Sequence, residues 1–292
     1  MASMQVRAPC ATPFYPSDCA QSAQRFLKGF SPPAEPGRVV AGIVPHAAWQ
    51  YSGAVAAKVF ASIREKQIPE TFVIFGAVHR WVGINAVYGR GAWGTPLGNV
   101  EVDETLARRI LEEASEWVCD QPRAHSGEHS IEVQLPFIKY LFPEARIVPI
   151  AVNPDSRAVP LGQRVGEILQ DYGRKTVVIG STDLTHYGDI YSFLPAGYGP
   201  KAYQWVREND ARILRLAQAM RASEITAEAA SHHNACGGGA MAAAVMAAHT
   251  AGARSGLLID YKTSYDVVPE GEFRMAVGYA GLLFLATPEK LA

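Results

Sequence analysis

The stretch Val177-Val178-Ile179-Gly180-Ser181-Thr182-Asp183-Leu184-Thr185-His186-Tyr187-Gly188 changes character halfway along. Its first part is a β-branched apolar run preceded by Arg174 and Lys175, the pattern of a buried strand. It then breaks into small and hydroxylated residues that deliver Asp183 and His186 within one turn of each other. In an open α/β sheet, ligands gather beyond the carboxyl ends of the strands, so titratable side chains at this point stand where chemistry is done.

The pattern repeats outward from this stretch. Arg38 to Val44 reads as a strand leading to Pro45-His46, and Gly53 to Lys66 has helical spacing. Phe72 to Gly76 is a second strand, leading to Ala77-Val78-His79. The glycines at 89, 91, 94 and 98 predict a hairpin or a long surface loop, and Asp103 to Trp117 a helix. Ser130 to Phe142 reads as a short helix interrupted or kinked at Pro136. Arg146 to Val152 follows as a strand and Leu161 to Tyr172 as a helix. Beyond the central stretch come helices near Ala202 to Met220, Ser223 to Ala230 and Gly237 to Ala251, then strands at Gly256 to Asp260 and Met275 to Leu285. At the start, prolines keep Arg7 to Pro16 extended and Ser17 caps a helix through Leu27. This alternation predicts an α/β fold over residues 1–292 as a single domain, with a mixed or mostly parallel central sheet and helices on both faces.

Composition narrows the function. With 48% hydrophobic and 19% charged residues, the 292-residue chain reads as a soluble globular protein able to bury a large core. Lys and Arg number 27 against 28 Asp and Glu, without long runs of either sign, which argues against nucleic acid or an anionic membrane as partner. Met1 to Arg7 lacks the apolar core of a signal peptide and no segment suits a bilayer span, so the expected location is cytoplasmic. Cys10, Cys19, Cys119 and Cys236 are scattered, without the spacing of a disulfide framework or zinc ribbon. No sequence feature marks an oligomeric state.

Three predicted strands thus end in His46, in His79, and in Asp183 with His186. One histidine would be unremarkable, but a sheet brings its strand ends together. Cys236, in Asn234-Ala235-Cys236-Gly237-Gly238-Gly239 before an Ala-rich helix, is placed for its thiolate to be stabilised by free backbone N–H groups. The alternative is a small buried residue beside glycines that allow close packing. In His125 to Pro136, Glu128 and Glu132 are spaced to share a helical face with His129 beside them, or to cap that helix. His232 and His233 read as loop or surface residues and His249 as a charge near a helix C-terminus. Trp49, Tyr51 and Tyr187 read either as walls of a pocket for a planar ligand or as core.

Pro45 to Gly53, Gly76-Ala77-Val78-His79, Glu128 to Pro136, Ser181 to Tyr187 and Cys236-Gly237, in this order, closely resemble the Memo family, the AmmeMemoRadiSam system protein B type. Phe14-Tyr15-Pro16, Tyr261 to Ser264 and Val277-Gly278-Tyr279 extend the resemblance over nearly the whole chain. Ala48-Trp49 stands where a Gly-Tyr pair is common, and Ala77 where Pro is common. That family is similar to the non-haem iron class III extradiol dioxygenases. The resemblance implies metal ligands His46, His79 and Cys236, with Asp183, His186 and His129 around the open face as catalytic groups. It implies a mononuclear centre of iron or copper, or zinc, in which a cysteine takes the place of the dioxygenase carboxylate. The expected function is metal-dependent, redox or dioxygenase-like, with a small planar or phenolic substrate. In this reading His186 acts as acid or base, and Asp183 orients it or holds a metal-bound water. Two other readings are a non-catalytic iron- or copper-binding or partner-binding protein, and a hydrolase with Cys236 as nucleophile and His186 as base.

Overall fold

A computed structural model describes residues 5–80 and 83–286. Met1 to Met4, part of the stretch read for a leader, lie outside the described residues. The chain runs β1 (Val6–Arg7), α1 (Cys19–Leu27), β2 (Arg38–Val44), α2 (Trp49–Lys66), β3 (Thr71–Gly76), β4 (Asn85–Val87), β5 (Ala92–Trp93), β6 (Val100–Glu101), α3 (Glu104–Glu113) and β7 (Val118–Asp120). It continues α4 (Leu135–Leu141), β8 (Arg146–Ala151), α5 (Ala158–Asp171), β9 (Thr176–Ser181), β10 (His186–Tyr187), α6 (Pro200–Gln218), α7 (Ala222–His232), α8 (Gly238–Thr250), β11 (Ala253–Thr263), α9 (Ser264–Val267) and β12 (Ala276–Ala286).

The continuous apolar runs become the middle of one mixed sheet, ordered β10-β12-β2-β9-β3-β8-β4-β7 with β11 along β12. Strands β2, β9, β3 and β8 are mutually parallel, while β12 runs antiparallel to β2 and β4 to β8. Every residue of β3 and β9 is buried, as expected of parallel strands covered on both faces. Two glycines define the faces. Gly42 and Ile179 pair across β2 and β9, and a Cβ on Gly42 would meet Val59 of α2. The next pair is Ile43 and Gly180, and a Cβ on Gly180 would meet Ala244 of α8. Successive residues of a strand point to opposite faces, so α2, with α1 and α4, covers one side and α8, with α5 and α7, the other. Helix α8 is buried almost all round, which its unbroken alanine run permits.

Sequence and structure part at several boundaries. The glycine-rich region is neither one hairpin nor one loop: β4 joins the main sheet, while β5 and β6 pair with each other and β5 takes β1 alongside. The helix read to Trp117 ends at Glu113, and Val118–Asp120 is a strand against β4. Pro136 starts a helix instead of kinking one: it follows a 3-10 turn, Glu132–Gln134, and occupies the first turn of α4, where no donor is lost. Asp18, not Ser17, precedes α1, and its side chain makes no capping hydrogen bond. No helix among the described residues is long and apolar enough to cross a membrane.

Helices α5 and α8 approach so closely that a Cβ at Gly162 would lie 2.2 Å from the Ala243 carbonyl oxygen. Alanine normally improves a helix interior by roughly 1 kcal/mol over glycine. Here Gly162→Ala is expected to destabilise instead, by about 1–3 kcal/mol through overpacking, seen as a lower urea midpoint at unchanged slope.

Candidate metal centre

Parallel register sets the site. Val44 of β2 pairs with Ser181 of β9, and Phe75 of β3 with Gly180, so the three chains leave the sheet at one edge. The segment before α8 is tied to that edge by Cys236 N–H donating to Asp183 O (3.2 Å) and Gly237 N–H donating to Thr182 Oγ1 (2.9 Å). A Cβ at Gly237 would fall 2.5 Å from Ser181 O, so only glycine lets the cysteine come this close.

The hydrogen bonds fix how each histidine is presented. Ser181 Oγ donates to Ser130 O (2.7 Å), leaving its lone pairs to accept from His46 Nδ1 (3.0 Å). The unprotonated Nε2 of His46 therefore faces Cys236 Sγ, 3.1 Å away. His79 Nδ1 lies 3.0 Å from Glu128 Oε1, and the same carboxylate accepts the backbone N–H of His79 (3.1 Å) and of Ser130 (2.9 Å). This pairing aims His79 Nε2 away from Glu128, as in carboxylate-oriented metal-binding histidines. One ligand atom from each of His46, His79 and Cys236 lies within 4.8 Å of the others. Two imidazole nitrogens and a sulfur at this spacing fit a single transition-metal ion. A second grouping, His79 with Glu128 and His129, is close enough as well, but the Glu128 oxygens are already engaged by His79 and two backbone N–H groups.

Burial and charge agree with this division of roles. Burial, reinforced by neighbouring His79, holds His46 neutral, far below the usual imidazole range. Burial pushes His79 the same way, but its hydrogen bond to Glu128 and the charge there outweigh it and raise the pKa. Burial would lift Glu128, yet its bonds to His79 and to backbone N–H groups bring it well below the carboxylate range. Cys236 departs from expectation: burial, with the nearby Asp183 charge, drives its thiol up, not down. The cysteine precedes Gly237, the cap of α8, and so stands short of the free N–H groups of that helix. A bound cation would reverse this, because coordination deprotonates a thiol.

Asp183 Oδ1 accepts the backbone N–H groups of His46 (2.7 Å) and Ala47 (3.2 Å), while Oδ2 lies 4.0 Å from His46 Nε2. It thus orients the His46 segment. His186 is oriented instead by its own neighbourhood: Nδ1 donates to Leu184 O (3.0 Å) and the ring packs edge-on to Tyr191 at 5.0 Å, leaving Nε2 as an acceptor. His129 stacks on His79 at 4.7 Å and meets His46 edge-on at 5.4 Å. Burial and the two neighbouring histidines lower its pKa to about 4. A cavity of about 370 Å³ reaches Cys236 and is walled by His186, Tyr191, Phe193, Ala235 and His233. A larger groove, about 910 Å³, lies along α6 and β11 and contains none of the three donors.

Glu128 and Glu132 do not share a face: the first serves His79, and the second binds Arg7 Nη1 at 2.6 Å, away from the centre. Trp49 and Tyr187 are core. Trp49 stacks on Phe137 at 3.7 Å and donates to Val133 O, and the Tyr187 hydroxyl donates to Gly197 O. Tyr51 packs beside buried Tyr279 and Val277. His233 is exposed at the cavity rim, His232 lies 3.3 Å from Glu228, and His249 is exposed in the last turn of α8. Sequence reasoning missed Ser181 and Ser130 as orienting groups and Tyr191 and Phe193 as walls.

Fold and cluster together define a class of protein, mixed-sheet α/β with nitrogen and sulfur donors converging where parallel strands end. A family model described as Memo-like protein matches residues 7–283, and the chain belongs to this family. A MEMO1 family protein of Pyrococcus furiosus is 38% identical over 288 residues, covering 95% of this chain and 98% of the relative. One from Thermococcus kodakarensis is 37% identical over 291 residues, covering 96% and 99%. The crystal structure of an uncharacterized Escherichia coli K12 protein shares the fold, with a TM-score of 0.50 at 13% identity over 82% of this chain and 99% of that one.

Proposed function

We propose that this protein is a metal-dependent, dioxygenase-like oxidoreductase with a mononuclear centre held by His46 Nε2, His79 Nε2 and Cys236 Sγ. The observation that carries this reading is the pairing of convergent donors with committed partners: each histidine has its other ring nitrogen occupied, by Ser181 or by Glu128. The mixed nitrogen and thiolate set suits iron or copper, with zinc the redox-silent alternative. When bound, iron or copper would supply one-electron chemistry and a Lewis-acid site for a phenolic oxygen. The chain supplies the rest. Asp183 holds the His46 backbone in place, and His186 Nε2, the free acceptor on the wall of the cavity, takes the proton of a ligand hydroxyl. His129 and His79 form the stacked edge of the opposite side.

His186→Asn is expected to leave metal content unchanged while lowering turnover about 100-fold or more, the usual range for a lost general base. Metal analysis beside oxygen uptake with phenolic substrates checks this, and loss of metal in that variant would contradict it. A metal-binding protein without turnover is the second reading, favoured by one observation: a soft sulfur stands where a carboxylate would leave iron more reactive. Oxygen uptake no higher than that of free metal would select it. The thiol-hydrolase reading is disfavoured, since the nearest base to Cys236 is His46, which is fully buried and oriented by Ser181.

A further inference from the structure

Two of the segments that build the site lie side by side: residues 183–187 bring Asp183 and His186, and residues 233–236 bring Cys236. Both are held from behind by one buried corner of α6. Asn209 Nδ2 donates to Thr185 Oγ1 (3.0 Å) and also to His232 O (2.9 Å), the last residue of α7, so a single amide ties the Thr185 segment to the helix end that leads into the cysteine segment. The backbone carbonyl of Asn209 accepts from Asn234 Nδ2 (3.0 Å), two residues before the cysteine. Asp210 Oδ1 accepts the backbone N–H of Thr185 (2.9 Å), and its Oδ2 accepts the Tyr261 hydroxyl (2.7 Å). Both side chains are buried, Asn209 at 4% and Asp210 at 0% exposure, and neither touches the three donors. The fit admits no slack: a Cβ on Gly278, which brackets Leu184 and Thr185 from β12, would lie 2.0 Å from Asp210 Oδ2. Burying an amide and a carboxylate costs free energy unless each is fully hydrogen-bonded, and here two of the four side-chain bonds go to Thr185, one to His232 and one to Tyr261.

We propose that Asn209 and Asp210 are positioning residues that lock the segment of His186 to the segment of Cys236, so that these two sides of the site keep one separation. This rests on the reading that both loops serve one centre. The amide of Asn209 is the cross-tie and Asp210 anchors the Thr185 side alone. Loss of the cross-tie loosens the cysteine segment, which keeps its backbone bonds to Asp183 and Thr182, while His46 and His79, held by Ser181 and Glu128, stay in place.

The test is the rate of iodoacetamide alkylation at Cys236 in metal-free full-length protein, with buried Cys19 of α1 as internal standard, read by mass spectrometry. Asn209→Leu is expected to speed alkylation of Cys236 by about tenfold, the scale of one or two lost hydrogen bonds in a local opening, with Cys19 unchanged. Asn209→Gln, which keeps an amide donor, recovers most of the protection. Thr185→Val, which cuts one arm and leaves the His232 arm, gives a smaller but measurable rise of about threefold, and serves if Asn209→Leu does not fold. An unchanged Cys236 rate in folded variants overturns the proposal. So does an equal rise at Cys19, which would mean general loosening. Cobalt(II) loading separates this result from the metal-centre reading. Wild-type protein should show sulfur-to-cobalt absorption, and Asn209→Leu should bind cobalt with that band weakened. Absence of the band in wild-type protein would sink the centre, whereas the alkylation contrast would still decide the positioning pair.

Discussion

His46→Ala is expected to abolish stoichiometric metal binding. The side chain is 1% exposed and its Nε2 stands 3.1 Å from the Cys236 sulfur, so its loss removes one of the three convergent donor atoms. Cys236→Ser should do nearly the same for iron(II) or copper, because a hydroxyl is a far poorer ligand for a soft ion than a thiolate. Glu128→Gln makes the more searching comparison. It leaves all three donors in place but removes the charge that orients and polarises His79, and such partners are typically worth roughly 10–100-fold in metal affinity. The expected order of affinity is wild type, then Glu128→Gln, then Cys236→Ser and His46→Ala at or near zero, measured by competition with a chromogenic chelator. Equal affinity in wild type and His46→Ala would eliminate the centre. A normal Glu128→Gln would assign His79 a role other than ligation.

The second large effect concerns stability. Glu132 is fully buried, and its two oxygens accept from Arg7 Nη1 (2.6 Å), the Tyr15 hydroxyl (2.7 Å) and the backbone N–H groups of Cys10 and Ala11 (2.8 Å for the latter). Removing one partner of a buried pair leaves an uncompensated charge, at a typical cost of 3–5 kcal/mol. Glu132→Ala is therefore expected to destabilise by about that amount, and to free residues 5–16 for proteolysis. The same segment places Phe14 on the ring of His129 at 4.4 Å, so its release also uncovers the site. The pH dependence follows in sign. Burial would raise Glu132, but its hydrogen bonds, that from Arg7 foremost, hold the folded pKa below the ordinary value. Its contribution is thus complete above the carboxylate range and lost as pH falls through the folded pKa. Buried His125, pushed down to about 4 by its burial, acts in the same direction from about pH 6.5 downward, since the unfolded imidazole takes the proton first. Denaturation midpoints at pH 7, 5 and 3.5 should show wild type weakening with acid: the histidine part of the loss, present between pH 7 and 5, should persist in Glu132→Ala, whereas the Glu132 part appears only below the carboxylate range and is absent from that variant.

What could be read from the residues alone divides by distance along the chain. Strands β2, β3 and β9 are continuous apolar runs whose ends are marked by a proline, a glycine or a hydroxyl residue, so both their existence and the side chains they deliver are local signals. The partners of those side chains are not. Glu128 lies 49 residues from His79, and as sequence a carboxylate before a helical turn looks like any helix cap. Ser181 looks like a strand terminator until the parallel register sets it under His46. Trp49 and Tyr187 show the reverse error, since an aromatic residue adjacent to a histidine motif faces the core when the chain turns away, as both do. The expectation of a stabilised thiolate at Cys236 failed by a single residue, because α8 begins after the cysteine and burial then dominates.

Strand β12 has an implication for how the protein is made. It pairs with β2, β10 and β11, and its Gly278 exchanges backbone bonds with Leu184 and Thr185. His46, His79 and Cys236 all precede residue 237, yet the segment of Asp183 and His186 gains its bonds to Gly278 only when residues 276–286 pair. A chain still emerging from the ribosome thus exposes two histidines and a thiol with no enclosure to select among ions. On the proposed reading, a truncation ending before Ala276 is expected to keep His46, His79 and Cys236 in sequence but to lose the Gly278 bonds to Leu184 and Thr185, and with them selective metal binding, as metal analysis of the purified truncation would show.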